Sequence, residues 1–367
     1  MPIQLLWFWT ITAFVFGITV GSFLNVVIYR LPRGGSLVQP EHSYCPNCKR
    51  QLNALDLVPL FSFLLLGCKC RGCKLPISWR YFGVELLTGV LFAALYLASR
   101  DNVPNAIAFI LFTAILVPIT FIDLDFFMIP SSLNILAFII AISRDIWGIA
   151  THEAGHQPLW GWLPWSIVGA VVGTLIFGVV RVSGWLWKRV EAMGLGDVFL
   201  ARGMGALLVS VVPAGGHPLR LFVMWVLLSC ASGLIVGPAL IFFRKQQAKH
   251  EGDSVINVEE SGDVLNFEKR FEDDLQTTEP ESSLIEQLKE VGCVLWLADF
   301  WEYLGEKLAA LRGQPVAPMN YEDDDWKPEA SAIPFGPFLS VGFLATIFVG
   351  ELLTNLYLAK VLHWGAP

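Results

Sequence analysis

The stretch AIAFILFTAILVPITFIDLDFFMIP, residues 106–130, decides the fold. From Ala106 to Ile122 it holds no charged residue, close to the roughly 20 apolar residues a helix needs to cross a bilayer. Asp123 then closes the run. A carboxylate at the edge of a hydrocarbon span costs a few kcal/mol, so it is a functional-site hypothesis by default. A second one, Asp197 in GLGD (residues 194–197), heads another long apolar run. Two carboxylates in separate spans suggest a shared proton and aspartyl-protease chemistry. The competing reading makes each a juxtamembrane polar residue in contact with lipid headgroups.

Composition extends this reading to the whole chain. With 54% hydrophobic residues, a mean hydropathy of +0.57 and only 16% charged residues, the balance is not that of a soluble domain. Eight spans are expected: Leu6–Ile28, Tyr81–Ser99, Asn105–Ile122, Leu133–Ala150, Leu163–Trp187, Val198–Pro213, Leu219–Phe243 and Pro337–Leu362. Arg144 and Asp145 interrupt the fourth, and the sixth is short and carries Arg202. The first run lacks a basic leader and a small-residue cleavage site, so it reads as a permanent span. The expected fold is an all-α polytopic membrane protein of about eight transmembrane helices with a small cytoplasmic four-cysteine zinc-binding loop domain.

Basic residues orient it, because short loops rich in Lys and Arg stay cytoplasmic. Between the first two spans lie Arg30, Arg33, Lys49, Arg50, Lys69, Arg71, Lys74 and Arg80, whereas Thr151–Trp162 has no Lys or Arg. The N-terminus is therefore expected outside, with Asp123 and Asp197 at the cytoplasmic face. Residues 251–330 stand apart, with 21 Asp and Glu against 6 Lys and Arg, a net of −15. The whole chain is −7, so the remainder is about +8 and the acidity belongs to this insert. Its ends read as solvated and disordered, and Ser283–Leu311 has apolar residues at near-helical spacing. The expected organisation is a first span (1–29), a cysteine-rich domain (30–80), a transmembrane catalytic core (81–243), an acidic insert (244–332) and a last span (333–367).

Five of the seven cysteines share one loop, as YCPNC (Cys45, Cys48) and GCKCRGC (Cys68, Cys70, Cys73). Two CxxC pairs separated by 21 residues approach the spacing of a tetrahedral zinc site, with Cys45, Cys48, Cys70 and Cys73 as ligands. Cys68 competes with Cys70 for one position. Cys230 and Cys293 read as ordinary apolar residues. His152–His156 spells HEAGH and fits the HExxH zinc-protease pattern, but Gly155 and Pro158 oppose the helix it requires. It reads as a chance match in a polar loop.

Taken in order, GSFLNVVIYRLP (21–32), the two CxxC pairs, RYFGVELLTG (80–89), FIDLDFFMIP (121–130), MGLGDVFL (193–200) and IPFGPFL (333–339) resemble the type IV prepilin leader peptidases. These are bifunctional leader peptidase/N-methyltransferases of bacterial inner membranes. The resemblance implies an eight-span intramembrane aspartyl protease that trims prepilins or type II secretion pseudopilins on the cytoplasmic side. The family's catalytic aspartates map to Asp123 and Asp197. Gly194 and Gly196 would let the backbone approach substrate closely. A second activity, N-methylation of the new N-terminus, would use S-adenosylmethionine. The implied partners are prepilin or pseudopilin and membrane lipid, with no nucleic acid; an oligomeric state is not implied.

Asp125, about 200° round a helix from Asp123, should face elsewhere. Three features depart from the family pattern. Ser131 follows Ile129-Pro130 where Asp is usual, Cys68 stands where glycine is frequent, and the acidic insert replaces a short loop. Cys68 falls in the loop with which the family's methyl transfer is associated. Alternatives are another GxGD intramembrane aspartyl protease, which would bring a Tyr-Asp and a Pro-Ala-Leu motif absent here, or a catalytically idle scaffold for pilus assembly.

Overall fold

A computed structural model describes residues 2–38, 42–45, 47–153, 158–188, 193–211, 219–256 and 334–360. Helices dominate it: α1 (Ile3–Arg30), α2 (Phe61–Leu65), α3 (Trp79–Ala98), α4 (Val103–Phe126), α5 (Ser131–Ala150), α6 (Trp165–Lys188), α7 (Leu195–Ser210), α8 (Leu219–Ile256) and α9 (Gly336–Lys360). Among the described residues β-structure amounts to isolated bridges. Each expected span corresponds to one long helix, and α1, α3, α4, α5, α6 and α8 are long and apolar enough to cross a membrane. The protein is a multi-pass membrane protein. Helix α8 continues past Phe243 to Ile256, because the Arg, Lys, Gln and Ala that follow the apolar run are good helix formers. Most of the acidic insert, including its near-helical stretch, lies outside the described residues.

Short connections from α3 to α8 force those neighbouring helices to run antiparallel. The cysteine loop joins the end of α1 to the start of α3, and the Gly336 N–H bond to Asp123 places the start of α9. The ends of α1 and α4 and the starts of α3, α5, α7 and α9 therefore share one end of the bundle with the cysteine loop. That end is called the loop end here, and the opposite one the far end. Local signals set the breaks between helices. Asn102 caps α4 by accepting from the Asn105 N–H at 3.0 Å, and Ser78 caps α3 through the Arg80 N–H at 3.3 Å. Helix α4 ends one turn beyond Asp123, where Phe127 turns left-handed at φ 54° and donates its N–H to the Asp123 carbonyl. Pro130 then opens α5.

Helix α7 is the axis of the assembly. From Asp197 to Ser210 every residue is buried, which accounts for its lacking a polar face. Helix α6 approaches it closely enough that a Cβ on Gly169 would stand 2.2 Å from the Gly205 carbonyl oxygen. Small residues permit this backbone contact, which lipid alone does not drive. The same device joins α1 to α3, where a Cβ on Gly17 would meet Gly89 Cα at 2.8 Å. Helix α9 packs on α8 and α4, with Phe343 stacked on Phe112 and the Trp225 indole donating to the Leu339 carbonyl at 3.1 Å.

Candidate active site

Three segments far apart in sequence converge at the loop end. Asp123 sits in the last turn of α4, and Asp197 in the first turn of α7. Both are buried, at 4% and 8% exposure. Gly336, the first residue of α9, donates its N–H to Asp123 Oδ2 at 2.9 Å. A Cβ there would collide with that oxygen at 2.6 Å, so only glycine fits. Ile129 is the shared neighbour. Its side chain lies 3.3 Å from where Gly336 would carry a Cβ and 3.1 Å from the corresponding point on Gly196. The two carboxylates are within electrostatic reach of each other.

The local fold explains the aim of Asp197. Gly194 caps α7, so Asp197 is the third residue of the helix and its carboxylate turns back to the Gly194 backbone. An anion in a first helical turn is also favoured by the helix dipole. Its Oδ1 is buried with no hydrogen-bond partner among the described residues and is placed to accept one. Gly194 stands beside that carboxylate, 3.3 Å (as a Cβ) from Asp197 Oδ2, whereas Gly196 is occupied by packing on Ile129. Two buried side chains fix this turn from outside. Arg181 of α6 donates to the Met193 carbonyl at 2.6 Å, and Asn134 of α5 to the Gly196 carbonyl at 3.4 Å.

Asp125 does face elsewhere. It pairs with Arg80 of α3, which also donates to the Phe121 carbonyl at 3.3 Å. Ser131 is exposed at the start of α5. Of HEAGH, residues 154–156 lie outside the described residues; Glu153 is at the far end, across the bundle from both aspartates. Its carboxylate accepts from Arg144 at 2.8 Å and from Asn102.

The cysteine loop folds as two matching turns. The Cys45 N–H donates to the Arg50 carbonyl and the Cys70 N–H to the Leu75 carbonyl, both at 2.9 Å. In each turn the lysine after the second cysteine is left-handed, Lys49 at φ 55° and Lys74 at φ 60°. Cys45, Cys48, Cys70 and Cys73 bring their sulfurs within 4.8 Å of one another, with Cys45–Cys73 at 3.9 Å and Cys48–Cys70 at 4.0 Å. Sulfurs each about 2.3 Å from one tetrahedral centre would be about 3.8 Å apart, so the cluster fits a metal. The N–H groups of Cys73 and Gly72 pull the Cys70 thiol down to about 6, while the Cys73 thiol is pushed up to about 11 beside it. The four sulfurs thus hold their protons jointly, and it is their spacing that fits a metal. Cys68 is outside the cluster.

Between this loop, α1 and α3 lies a cavity of about 390 Å³ that sequence reasoning did not anticipate. Ser22 and Asn25 of α1, Tyr81 and Glu85 of α3, and Tyr44 and Phe63 of the loop line it. The available signal was Glu85 itself, a lone carboxylate within an apolar span.

Residues 15–99 match the family model of the bacterial peptidase A24 N-terminal domain, and residues 110–238 that of the type IV leader peptidase family. A prepilin leader peptidase/N-methyltransferase of Myxococcus xanthus (strain DK1622) is 31% identical over 354 residues, 95% of this chain and 92% of that protein. One from Aeromonas salmonicida (strain A449) is 32% identical over 65% of this chain and 83% of its own length. One from Neisseria gonorrhoeae is 33% identical over 55% and 75%. No solved structure matches the chain.

Proposed function

The chain belongs to the type IV leader peptidase family, and we propose that it trims prepilins or pseudopilins with Asp123 and Asp197 as the catalytic pair and then N-methylates the product. The observation that carries the peptidase assignment is the convergence of two buried carboxylates at one end of the bundle. One carboxylate, ionised, takes a proton from the attacking water. The other, protonated, hydrogen-bonds the scissile carbonyl and later protonates the leaving amine. The shared proton belongs to the pair rather than to either residue. The Gly336 N–H fixes the Asp123 carboxylate, and Gly194 leaves room for substrate backbone beside Asp197.

The basic loops support an active site at the cytoplasmic face of a bacterial inner membrane, where a basic leader peptide would present itself. The four-cysteine cluster is read as a structural zinc site, closed by four thiolates and stabilising a loop with little core of its own. Methyl transfer of this kind draws on S-adenosylmethionine as a source of an electrophilic methyl group. The cavity beneath the cysteine loop has the volume and aromatic walls to hold it. The residue ranges expected for the five segments remain the working division, with α8 extending the core's last helix into the insert.

Asp123→Asn and Asp197→Asn each test the peptidase reading. Membrane-inserted protein of either variant should lose leader cleavage by about 1,000-fold or more. Substantial cleavage by one of them removes that residue from the pair.

A further inference from the structure

We propose that the cavity between α1, α3 and the cysteine loop is the methyl-transfer chamber, and that Glu85 binds the new N-terminal amine there and takes its proton. The proposal rests on the bifunctional reading given above. It adds the place of the second reaction and the group that performs it.

The division of the chain is the first observation. Both aspartates fall within residues 110–238, while every residue lining the cavity falls within residues 15–99, matched by a different family model. The two names carried by the relatives' activities thus have two candidate centres in this molecule, one in each part.

Chemistry is the second. Glu85 is half-buried on α3, accepts the Leu60 N–H at 2.8 Å and bonds to Ser22. Among the described residues it has no ion-pair partner. Asp56, the other lining carboxylate, is by contrast paired with Arg71 at 3.0 Å. Arg30, the lining cation, donates to the Ser36 carbonyl. A half-buried carboxylate with no ion-pair partner among the described residues is a ready receiver for a cation that arrives from outside. The aromatic faces of Tyr44, Phe63, Tyr81 and Phe82 suit the same kind of guest. Both reactants of N-methylation are cations, a sulfonium donor and an ammonium acceptor. At about 390 Å³ the space matches a nucleoside-sized ligand and a chain terminus.

The step balances within the cavity. The amine gives up a proton to Glu85, and its lone pair attacks the methyl carbon. An N–C bond forms as the S–C bond breaks, and the sulfur keeps the electron pair, leaving S-adenosylhomocysteine. Delivery is short. Ser78 and Tyr81 of the cavity wall flank Arg80, which binds Asp125, two residues from Asp123. Cys45 and Cys70 also line the cavity, so the metal site shapes it, whereas Cys68 does not touch it.

Full-length protein in nanodiscs is compared with Glu85→Gln and Ser62→Trp in four measurements: prepilin cleavage, metal content, binding of tritiated S-adenosylmethionine, and methylation of a pre-trimmed pilin peptide. Glu85→Gln can still accept the Leu60 N–H. It should cleave, hold metal and bind the donor like the parent, while methylation falls by about 100-fold. Ser62→Trp, filling the cavity from α2, should lose donor binding and methylation together and still cleave. Unchanged methylation in either variant overturns the proposal. So does a Glu85→Gln protein that loses metal and cleavage as well, since Glu85 is then only a cap for α2. A parent protein that fails to cleave prepilin defeats the bifunctional reading instead.

Discussion

The two ends of this helix bundle bury carboxylates in opposite ways. At the far end Glu153 accepts from Arg144, and Asp145 Oδ2 accepts the Ser166 N–H at 2.7 Å, closing the start of α6. At the loop end Asp123 and Asp197 lie within electrostatic reach of each other, and no cation pairs with Asp197 among the described residues. A buried oxygen without a partner among those residues is common to both ends, at Asp145 Oδ1 and Asp197 Oδ1. An acid with a cation or a helix start to serve is structural. Two acids within reach of each other are held there by the rest of the fold, and such unfavourable placement is what the proposed catalytic pair would draw on. The residue type decides nothing here; the partner does. HEAGH shows the cost of reading type alone, for its glutamate serves an ion pair.

That contrast can be broken by substitution. The largest difference is expected between Asp197→Asn and Arg144→Met. Asp197→Asn should abolish cleavage yet raise the unfolding midpoint in detergent, because it replaces a buried carboxyl that must share a proton with Asp123 by a neutral amide. Arg144→Met should do the reverse. It strands Glu153, which is 25% exposed, and should cost about 2–3 kcal/mol of stability, somewhat below the loss for a fully buried pair, while the folded fraction still cleaves. If Asp197→Asn destabilises and Arg144→Met does not, the two ends have been assigned the wrong way round.

A smaller effect is expected from Glu153→Gln, which keeps hydrogen bonding to Asn102 and weakens the bond to Arg144. About 1 kcal/mol should be lost, read as a shift in thermal unfolding, with cleavage rates intact. A cleavage defect like that of Asp123→Asn would restore the metalloprotease reading of HEAGH. Smallest of all should be Asp125→Asn. Its pair with Arg80 is about a third exposed on both sides, so under about 1 kcal/mol is at stake. Clear cleavage activity should remain in a peptide assay; its absence would enlarge the catalytic group by one residue.

Much of this architecture was legible in the chain because apolar runs of membrane length have few alternatives. All eight expected spans meet a helix, and the all-helical class follows. Boundaries moved where polar residues continue a helix. GLGD was read as a prelude to the sixth span, whereas α7 begins at Leu195 and takes Asp197 into its first turn. The cysteine pairing was also readable, since CxxC spacing limits which sulfurs can meet; Cys68 was the only rival and lies outside the cluster. What sequence could not supply was contact between segments. Nothing in PFGP announces that the Gly336 N–H meets Asp123, and nothing in VELLTG shows that Glu85 opens onto a cavity. Such facts depend on how α9 and the cysteine loop dock, which no local spacing encodes.

Biogenesis inherits the burial of α7. At 16 residues, with Asp197 near its start and Arg202 in its middle, this helix is a poor passenger for lipid by itself; each such charge opposes insertion by about 2.5–3.5 kcal/mol near a helix centre. Its glycine-lined seam with α6 offers a remedy, because a partner already in the bilayer can receive it as the second arm of a hairpin. Nascent chains ending beyond Ser210 should therefore insert α7 when α6 precedes it and fail when α6 is replaced by a polar spacer, as glycosylation mapping would report. Asp197 would then enter the membrane already sheltered, never having met the hydrocarbon that its charge could not tolerate.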